Sequence, residues 1–262
     1  MVTFRNVGRL GNYLFECATA MAYTRDHALD FTIPQGKDAE RDAEWHPIYL
    51  RHLANPKYNP ALKTYAIRER SHTYGPLPWH PEFCRMNVVF HGYFQTEKYF
   101  VHHREGLIQA FGFPWKLLNG AVSVHVRRGD YLTIQKHGVF KHPPVPKQWI
   151  EEQMEKFPGY GFIFFSDDLE WCRKEFGHRR DCSFGDMLPM LPFDGETNDL
   201  VHGSMCEHHI CSASTFSWWQ AWLNQNPNKR VIMPAHWINP QWSDIDCSDI
   251  VPAGWERYAP TY

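Results

Sequence analysis

Cysteine is sparse and unpatterned. Seven residues, an odd number, are scattered at Cys17, Cys84, Cys172, Cys182, Cys206, Cys211 and Cys247, and no Asn-x-Ser/Thr acceptor occurs in the 262 residues. Both facts fit a reducing, cytoplasmic setting and argue against a disulfide scaffold. Long hydrophobic runs are also missing. The N-terminal MVTFRNVGRLGNYLF places Arg5 and Arg9 inside its only apolar stretch, and the longest uncharged run, His208 to Asn228, is interrupted by Ser, Gln and Asn. Neither a signal-peptide core nor a bilayer span is expected. No charge of one sign dominates: Lys plus Arg is 27, Asp plus Glu is 29, and the net is −2. That balance excludes the polycationic field of a non-specific nucleic-acid or anionic-membrane binder. P-loop, HExxH and GxGxxG motifs are absent, as are internal repeats.

The composition is otherwise that of a globular chain with a real core, 43% hydrophobic and 21% charged. The length allows one large or two compact domains. The 11 Trp and 16 His stand out. Such rings suit sugar faces or bases, but packing is their ordinary role. The cluster Cys206-Glu-His208-His209-Ile-Cys211 lacks a second ligand pair at zinc-site spacing, which favours buried structural cysteines. The acidic pairs Asp167-Asp168 and Asp244/Asp246 could hold a metal-bound nucleotide sugar, although short acidic pairs are common on loops.

Periodicity predicts a helix over residues 12–24, with Leu14, Ala18, Met21 and Ala22 on one stripe, preceded by Gly8 and Gly11. From Asp26 to Pro81 the chain is charged and Pro-rich, and no fold is legible there. Asn87–Phe90 reads as a strand. Beyond Phe113-Pro114-Trp115 an α/β rhythm begins: strands at Ala121–Val126, Gly161–Ser166, His209–Ser212 and Arg230–Met233, and helices at Pro146–Phe157, Asp199–Cys206 and Thr215–Asn224. Strands alternating with helices imply a largely parallel sheet, and a domain change is expected near residue 115.

Two segments carry the chemistry. In Ser123-Val-His125-Val-Arg127-Arg128-Gly129-Asp130 the period of two sends Ser123, His125 and Arg127 to one face and three valines to the other. A buried parallel strand is normally apolar on both faces, so this stripe needs a polar partner. The arginines fall at the carboxyl end of the strand, where open α/β sheets bind ligands, and a guanidinium can grip phosphate with two donors. The plain alternative is a structural Arg–Asp pair such as Arg128 with Asp130. In the second segment, His209 to Trp219, a strand runs into a helix with Ser214 at the N-cap. A diphosphate fits the free N–H groups of such a helix end, and so does nothing more than an ordinary cap.

Six blocks in order across nearly the whole chain resemble glycosyltransferase family 11, the α-1,2-fucosyltransferases: Gly8-Arg9-Leu10-Gly11-Asn12, Gly92 to Phe100 (GYFQTEKYF), His125 to Tyr131 (HVRRGDY), Phe165-Ser166-Asp167-Asp168, Ser214 to Trp219 (STFSWW) and Val231-Ile232-Met233-Pro234. Tyr13 stands where the family has Gln, and Ala213 where it has Asn. The resemblance implies an α/β, GT-B-like fold with two facing Rossmann-like domains. Residues 1–115 would be the acceptor side and 116–262 the GDP-sugar-binding domain. It implies GDP-L-fucose as co-substrate, no metal, and the 2-hydroxyl of a terminal galactose on a glycan as acceptor. A homo-oligomer is compatible with it; a nucleic-acid partner is not expected.

By the same resemblance, Arg127 would bind the β-phosphate with His125 and Asp130 in support, as the catalytic set. Gly11, Asn12, Arg128, Asp167, Ser214, Thr215 and Phe216 would serve the donor, and Asp199 would read guanine. Inversion at the anomeric carbon would follow from one direct displacement. The general base stays open between Asp130, which two arginines would keep ionised, and an acid of the amino-terminal half such as Glu16. Two other classes compete: a metal-dependent GT-A transferase using the acidic pairs, and a non-catalytic glycan-binding module using the Trp and His rings.

Overall fold

The computed structural model describes residues 1–34, 52–53, 59–136 and 138–260. The chain forms two compact units, Met1–Phe113 with Asp246–Pro252, and Pro114–Ile245 with Ala253–Tyr262.

The first unit holds a parallel sheet of β1 (Val2–Phe4), β2 (Thr64–Arg68) and β3 (Asn87–His91), in the order β1-β3-β2. Helix α1 (Leu10–Asp26) follows β1 and is buried over almost its whole circumference. Its Leu, Ala and Met residues are strong helix formers, which suits a helix stabilised on all sides by packing. Tyr13 meets Phe4 edge-on at 5.0 Å, and Tyr23 meets Phe90 at 5.3 Å. The helix starts earlier than its periodicity predicts, since Leu10 and Gly11 are buried in its first turn. Helix α2 (Arg104–Phe111) ends at left-handed Gly112. The excursion at 246–252 is fastened here: Asp249 accepts the Tyr74 N–H at 2.8 Å and pairs with Lys98.

The second unit contains β4 (Leu118–Val126), a short antiparallel hairpin of β5 (Gln135–Lys136) and β6 (Val139–Phe140), α3 (Lys147–Met154), β7 (Gly161–Ser166), α4 (Leu169–Phe176), β8 (Cys182–Phe184), α5 (Gly195–Met205), β9 (Cys206–Ile210), α6 (Thr215–Leu223), β10 (Val231–Pro234) and β11 (Glu256–Tyr258). Six of these strands form one all-parallel sheet in the order β8-β7-β4-β9-β10-β11. The chain builds outward from β4 through β7 to β8, then returns to the other side of β4 with β9. This is the doubly wound order with the first strand central, and its switch point lies between β4 and β9.

The alternation predicted for β4 is present. Val122, Val124 and Val126 join one core with Trp149, Ile150, Phe164, Cys172 and Phe176, beneath α3 and α4. Ser123 and His125 are buried on the opposite side. Two expected elements shift. The strand expected at His209–Ser212 is β9, three residues earlier, which leaves Ser212 beyond the strand end. The helix expected from Asp199 begins at Gly195, capped by Asp194, whose carboxylate accepts the Thr197 N–H at 2.8 Å. Four tryptophans serve the core: Trp218, Trp219 and Trp222 of α6 form a mutual cluster with centroids 5.0 to 6.1 Å apart, and Trp255 closes on Trp218 at 5.6 Å. Each aromatic ring of this kind removes about 150–250 Å² from water, so these rings act as packing rather than sugar platforms. Among the described residues no helix is long and apolar enough to cross a membrane.

Candidate active site

At the carboxyl edge of the second sheet, three adjacent central strands end together. β4 runs into Arg127-Arg128-Gly129-Asp130, β7 into Asp167-Asp168, and β9 into the loop that starts α6. Two hydrogen bonds tie the β4 and β9 ends directly. His125 Nδ1 lies 2.7 Å from Ser212 Oγ, and the Tyr131 hydroxyl donates to the Ala213 carbonyl at 2.7 Å. The polar stripe on β4 thus finds its partner on the neighbouring loop. His125 also faces the Phe216 ring at 5.3 Å. Burial, and secondarily the Arg127 charge, lower its pKa to about 3, so it is a neutral imidazole.

Arg127 is clamped. Asp130 Oδ1 accepts from its Nε at 3.1 Å and its Nη2 at 2.6 Å, while Asp167 Oδ2 sits 3.1 Å from Nη1. A guanidinium carries five N–H groups. With these contacts made, each terminal nitrogen retains an N–H for another partner. Asp167 also accepts the Arg128 N–H at 2.9 Å. A Cβ on Gly129 would collide with the same carboxylate, so the close approach of loop and acid requires glycine there.

Arg128 is oriented differently. Its Nε donates to Asp168 at 3.0 Å and its guanidinium lies 4.2 Å from the Trp171 ring centroid. The structural pair expected between Arg128 and Asp130 is therefore two pairs, Arg127 with Asp130 and Arg128 with Asp168. Asp168 also caps α4 by accepting the Trp171 N–H at 3.0 Å. That bond first, and Arg128 next, hold its carboxyl below the usual range. Asp167 and Asp168 both spend their charge on arginine in this arrangement.

Ser214 is the N-cap of α6, its hydroxyl accepting the Phe216 N–H at 3.3 Å. The first turn carries no acidic residue, and Thr215 and Phe216 remain partly exposed. The positive end of this helix is therefore not offset from within. Asp199 stands on the second turn of α5. A Cβ added at Gly185, just past β8, would come within 3.0 Å of its Oδ1. Burial, then the charges of Asp186 and Glu196, raise its pKa to about 6. Its backbone carbonyl accepts from Gln220 Nε2 at 2.8 Å.

In the first unit, the two glycine-bearing blocks meet. Asn12 Oδ1 accepts from Gln95 Nε2 at 2.8 Å, joining the start of α1 to the turn after β3. That turn is held by Glu69, which accepts the N–H groups of Tyr93 at 2.8 Å and Phe94 at 2.9 Å. Gly92 has φ +144° with no room for a Cβ beside Glu69, and Phe94 itself sits at φ +50°. No side chain caps the N-terminus of α1. Glu16 is fully buried and accepts the Val7 N–H through both oxygens, at 3.1 and 3.3 Å. It is a structural acid that fixes the loop before α1, and the reading of it as a base reachable by substrate is overturned.

Cys206 and Cys211 are buried, with their thiols directed at the carbonyls of His202 and Ser217 at 3.6 Å each. They are structural, and all seven cysteines are free. Sequence reasoning gave no role to Ser212, Tyr131 or Glu69. Tyr131 was legible as the last residue of the HVRRGDY block. Ser212 and Glu69 had no signal, because their partners are distant in sequence.

The glycosyl transferase family 11 model matches residues 59–257. An α-1,2-colitosyltransferase of Escherichia coli is 31% identical over 65% of this chain, and the match spans 62% of that protein's length, less than two thirds. The galactoside 2-alpha-L-fucosyltransferase Sec1 of Mus musculus is 28% identical over 94% of this chain and 74% of its own. The solved fucosyltransferase NodZ from Bradyrhizobium aligns with a TM-score of 0.42 at 11% identity, covering 84% of this chain and 92% of that one.

Proposed function

The chain belongs to glycosyl transferase family 11, and from that footing we infer that it moves L-fucose from GDP-β-L-fucose to the 2-hydroxyl of a terminal galactose, inverting the anomeric centre without a metal ion. The observation that carries the reading is the joined end of β4 and β9: an arginine with N–H groups to spare on a strand end that His125 and Tyr131 tie, through Ser212 and Ala213, to the loop that opens α6.

As the bond from the anomeric carbon to GDP breaks, negative charge grows on the β-phosphate. Donors fixed in place before the reaction stabilise that charge without reorganisation. Arg127 supplies two-pronged donors, and the start of α6 supplies the Thr215 N–H and the positive helix end, the Ser214 and Phe216 N–H groups being held by the Ser212 carbonyl and the Ser214 hydroxyl. Asp130 and Asp167 set the guanidinium in position but also offset its charge, so the α6 terminus contributes the part of the field that no carboxylate cancels. His125, neutral and hydrogen-bonded to Ser212, is a positioning residue that locks the two loops together. Asp199 would accept from guanine N1–H and the 2-amino group, because its carboxylate has no cationic partner among the described residues and stands near two other acids. Arg128, packed on Trp171 with its backbone N–H given to Asp167, would serve the donor by fixing the end of β4 rather than by its charge.

A metal-bound diphosphate at Asp167-Asp168 would have to displace both arginines from those carboxylates, which disfavours the GT-A reading. The 1–115 half is assigned to the acceptor side, with its Gly11 and Asn12 serving the donor, and 116–262 to GDP-sugar binding, and seven free thiols suit a cytoplasmic enzyme. The test is incubation of the purified chain with GDP-fucose and lactose in EDTA. The expected result is GDP release with a 2-linked product. Sugar binding without GDP release would establish a glycan-binding module instead, and dependence on Mn²⁺ would restore the GT-A reading. The colitosyltransferase relative makes GDP-colitose the natural second donor to assay.

A further inference from the structure

Among the described residues, one group of His, Cys, Asp and Glu side chains brings three ligand atoms within 4.8 Å of one another: Asp26, His102 and His103. Asp26 is the last residue of α1, and the two histidines occupy the tight 3-10 turn Val101–His103 just before α2. Both imidazoles present Nε2 to the same carboxylate. His103 Nε2 lies 2.7 Å from Oδ1, and His102 Nε2 lies 3.1 Å from each oxygen.

The two rings are 4.4 Å apart and converge on one carboxylate. Two imidazole nitrogens and a carboxylate oxygen are a donor set that transition metals take. Around zinc, with bonds of about 2.0–2.2 Å, neighbouring donor atoms of a tetrahedron stand roughly 3.3–3.6 Å apart. To reach that edge the His102 spacing of 3.1 Å opens by roughly 0.2–0.5 Å and the His103 spacing of 2.7 Å by roughly 0.6–0.9 Å, within the reach of small side-chain rotations. The frame is already in place: Arg25, adjacent to Asp26, donates to the Gly106 carbonyl at 2.9 Å and fastens the end of α1 to α2. The three side chains are 28 to 47% exposed, which leaves an entry path and room for water as the fourth ligand.

We propose that Asp26, His102 and His103 form a binding site for a zinc-class divalent ion that staples the C-terminus of α1 to the turn preceding α2. Two imidazoles and one carboxylate select zinc over the harder Mg²⁺ or Mn²⁺, which take oxygen ligands. The site lies in the first unit, and none of its three residues belongs to the donor set proposed above.

Calorimetric titration of ZnCl₂ into chelator-stripped, dialysed protein tests it, with thermal melting as a second readout. One equivalent binds to the wild type and raises its melting temperature. Asp26→Ala and His103→Ala, checked by circular dichroism for an unchanged fold, lose at least about tenfold in affinity and the thermal gain. His178→Ala, an exposed histidine elsewhere, keeps both. The proposal is overturned if the wild type binds no zinc, if Asp26→Ala and His103→Ala bind as the wild type does, or if His178→Ala loses as much as they do.

Discussion

Each of the two units has a glycine-bearing loop beyond a strand of its parallel sheet, Gly8 after β1 and Gly129 after β4, yet they furnish those edges differently. In the second unit the edge is charged and cross-braced: two arginines, three aspartates and a neutral histidine hold one another in fixed pairs. In the first unit the corresponding edge is held by backbone N–H groups on Glu69 and by an uncharged Asn12–Gln95 pair. A site that must meet growing charge needs fixed ions, whereas one that only orients hydroxyl groups can rely on neutral donors and a rigid main chain.

The sharpest way to break that contrast is at Arg127. Arg127→Lys keeps the charge but loses the planar fork, and turnover of GDP-fucose is expected to fall about 10²–10³-fold, as on losing a preorganised donor. Steady-state kinetics showing near-normal turnover would remove Arg127 from the reaction. Next comes Asp199→Asn. Removing a charged acceptor from guanine should weaken GDP binding roughly 10- to 100-fold, corresponding to about 1.5–3 kcal/mol. The wild type should also lose GDP affinity as pH falls through about 6, where the Asp199 carboxylate takes a proton. The variant should lack that dependence, and calorimetric binding at pH 7.5 and 5.5 measures both.

Glu69→Ala sharpens the comparison from the other side. It leaves the Tyr93 and Phe94 N–H groups without their acceptor and should cost about 1–3 kcal/mol of stability in urea unfolding. It should raise the acceptor KM while leaving GDP affinity unchanged; a loss of GDP binding would show that the two edges are not separate in function. The last effect, on the pH dependence of stability alone, is expected at His125. Its folded pKa of about 3 lies below the ordinary 6.5, so the unfolded chain binds the extra proton between those values. Stability is then retained above pH 6.5 and lost on acidification, at up to about 1.4 kcal/mol per pH unit from this group. His125→Gln should flatten that slope in unfolding experiments at pH 7 and 5, and an unchanged slope would show that His125 is not the group responsible.

The sequence was most informative where one strand carries two unlike faces. The valines of β4 and the Ser-His-Arg stripe opposite them were legible because period two is built into the strand, and the helix at Ser214 because a small hydroxyl residue precedes an apolar run. Edge strands were not legible. β2 buries only Ile67 well and flanks it with Tyr65 and Arg68, so no alternation marks it, and β8 and β11 are three residues long. β9 was misplaced because Glu207 and His208 disguise its first half, although the strand is central. The pairings inside the candidate site were the least accessible. Whether Arg128 meets Asp130 or Asp168 depends on which side of β4 the next strand lies, and no local pattern encodes that. Part of the Asp26–Pro81 stretch, which carried no readable pattern, lies outside the described residues.

The excursion of Asp246–Pro252 into the first unit, followed by the return to β11, means that the backbone passes between units three times rather than once. No single cleavage point can therefore separate the gene into two self-sufficient halves. A truncation after Ile245 would strip an outer strand from the six-stranded sheet and, in the same stroke, take from the other unit the acid that anchors Lys98 and the Tyr74 amide. Chimeras that exchange the first unit would have to graft both the leading segment and this short late insert.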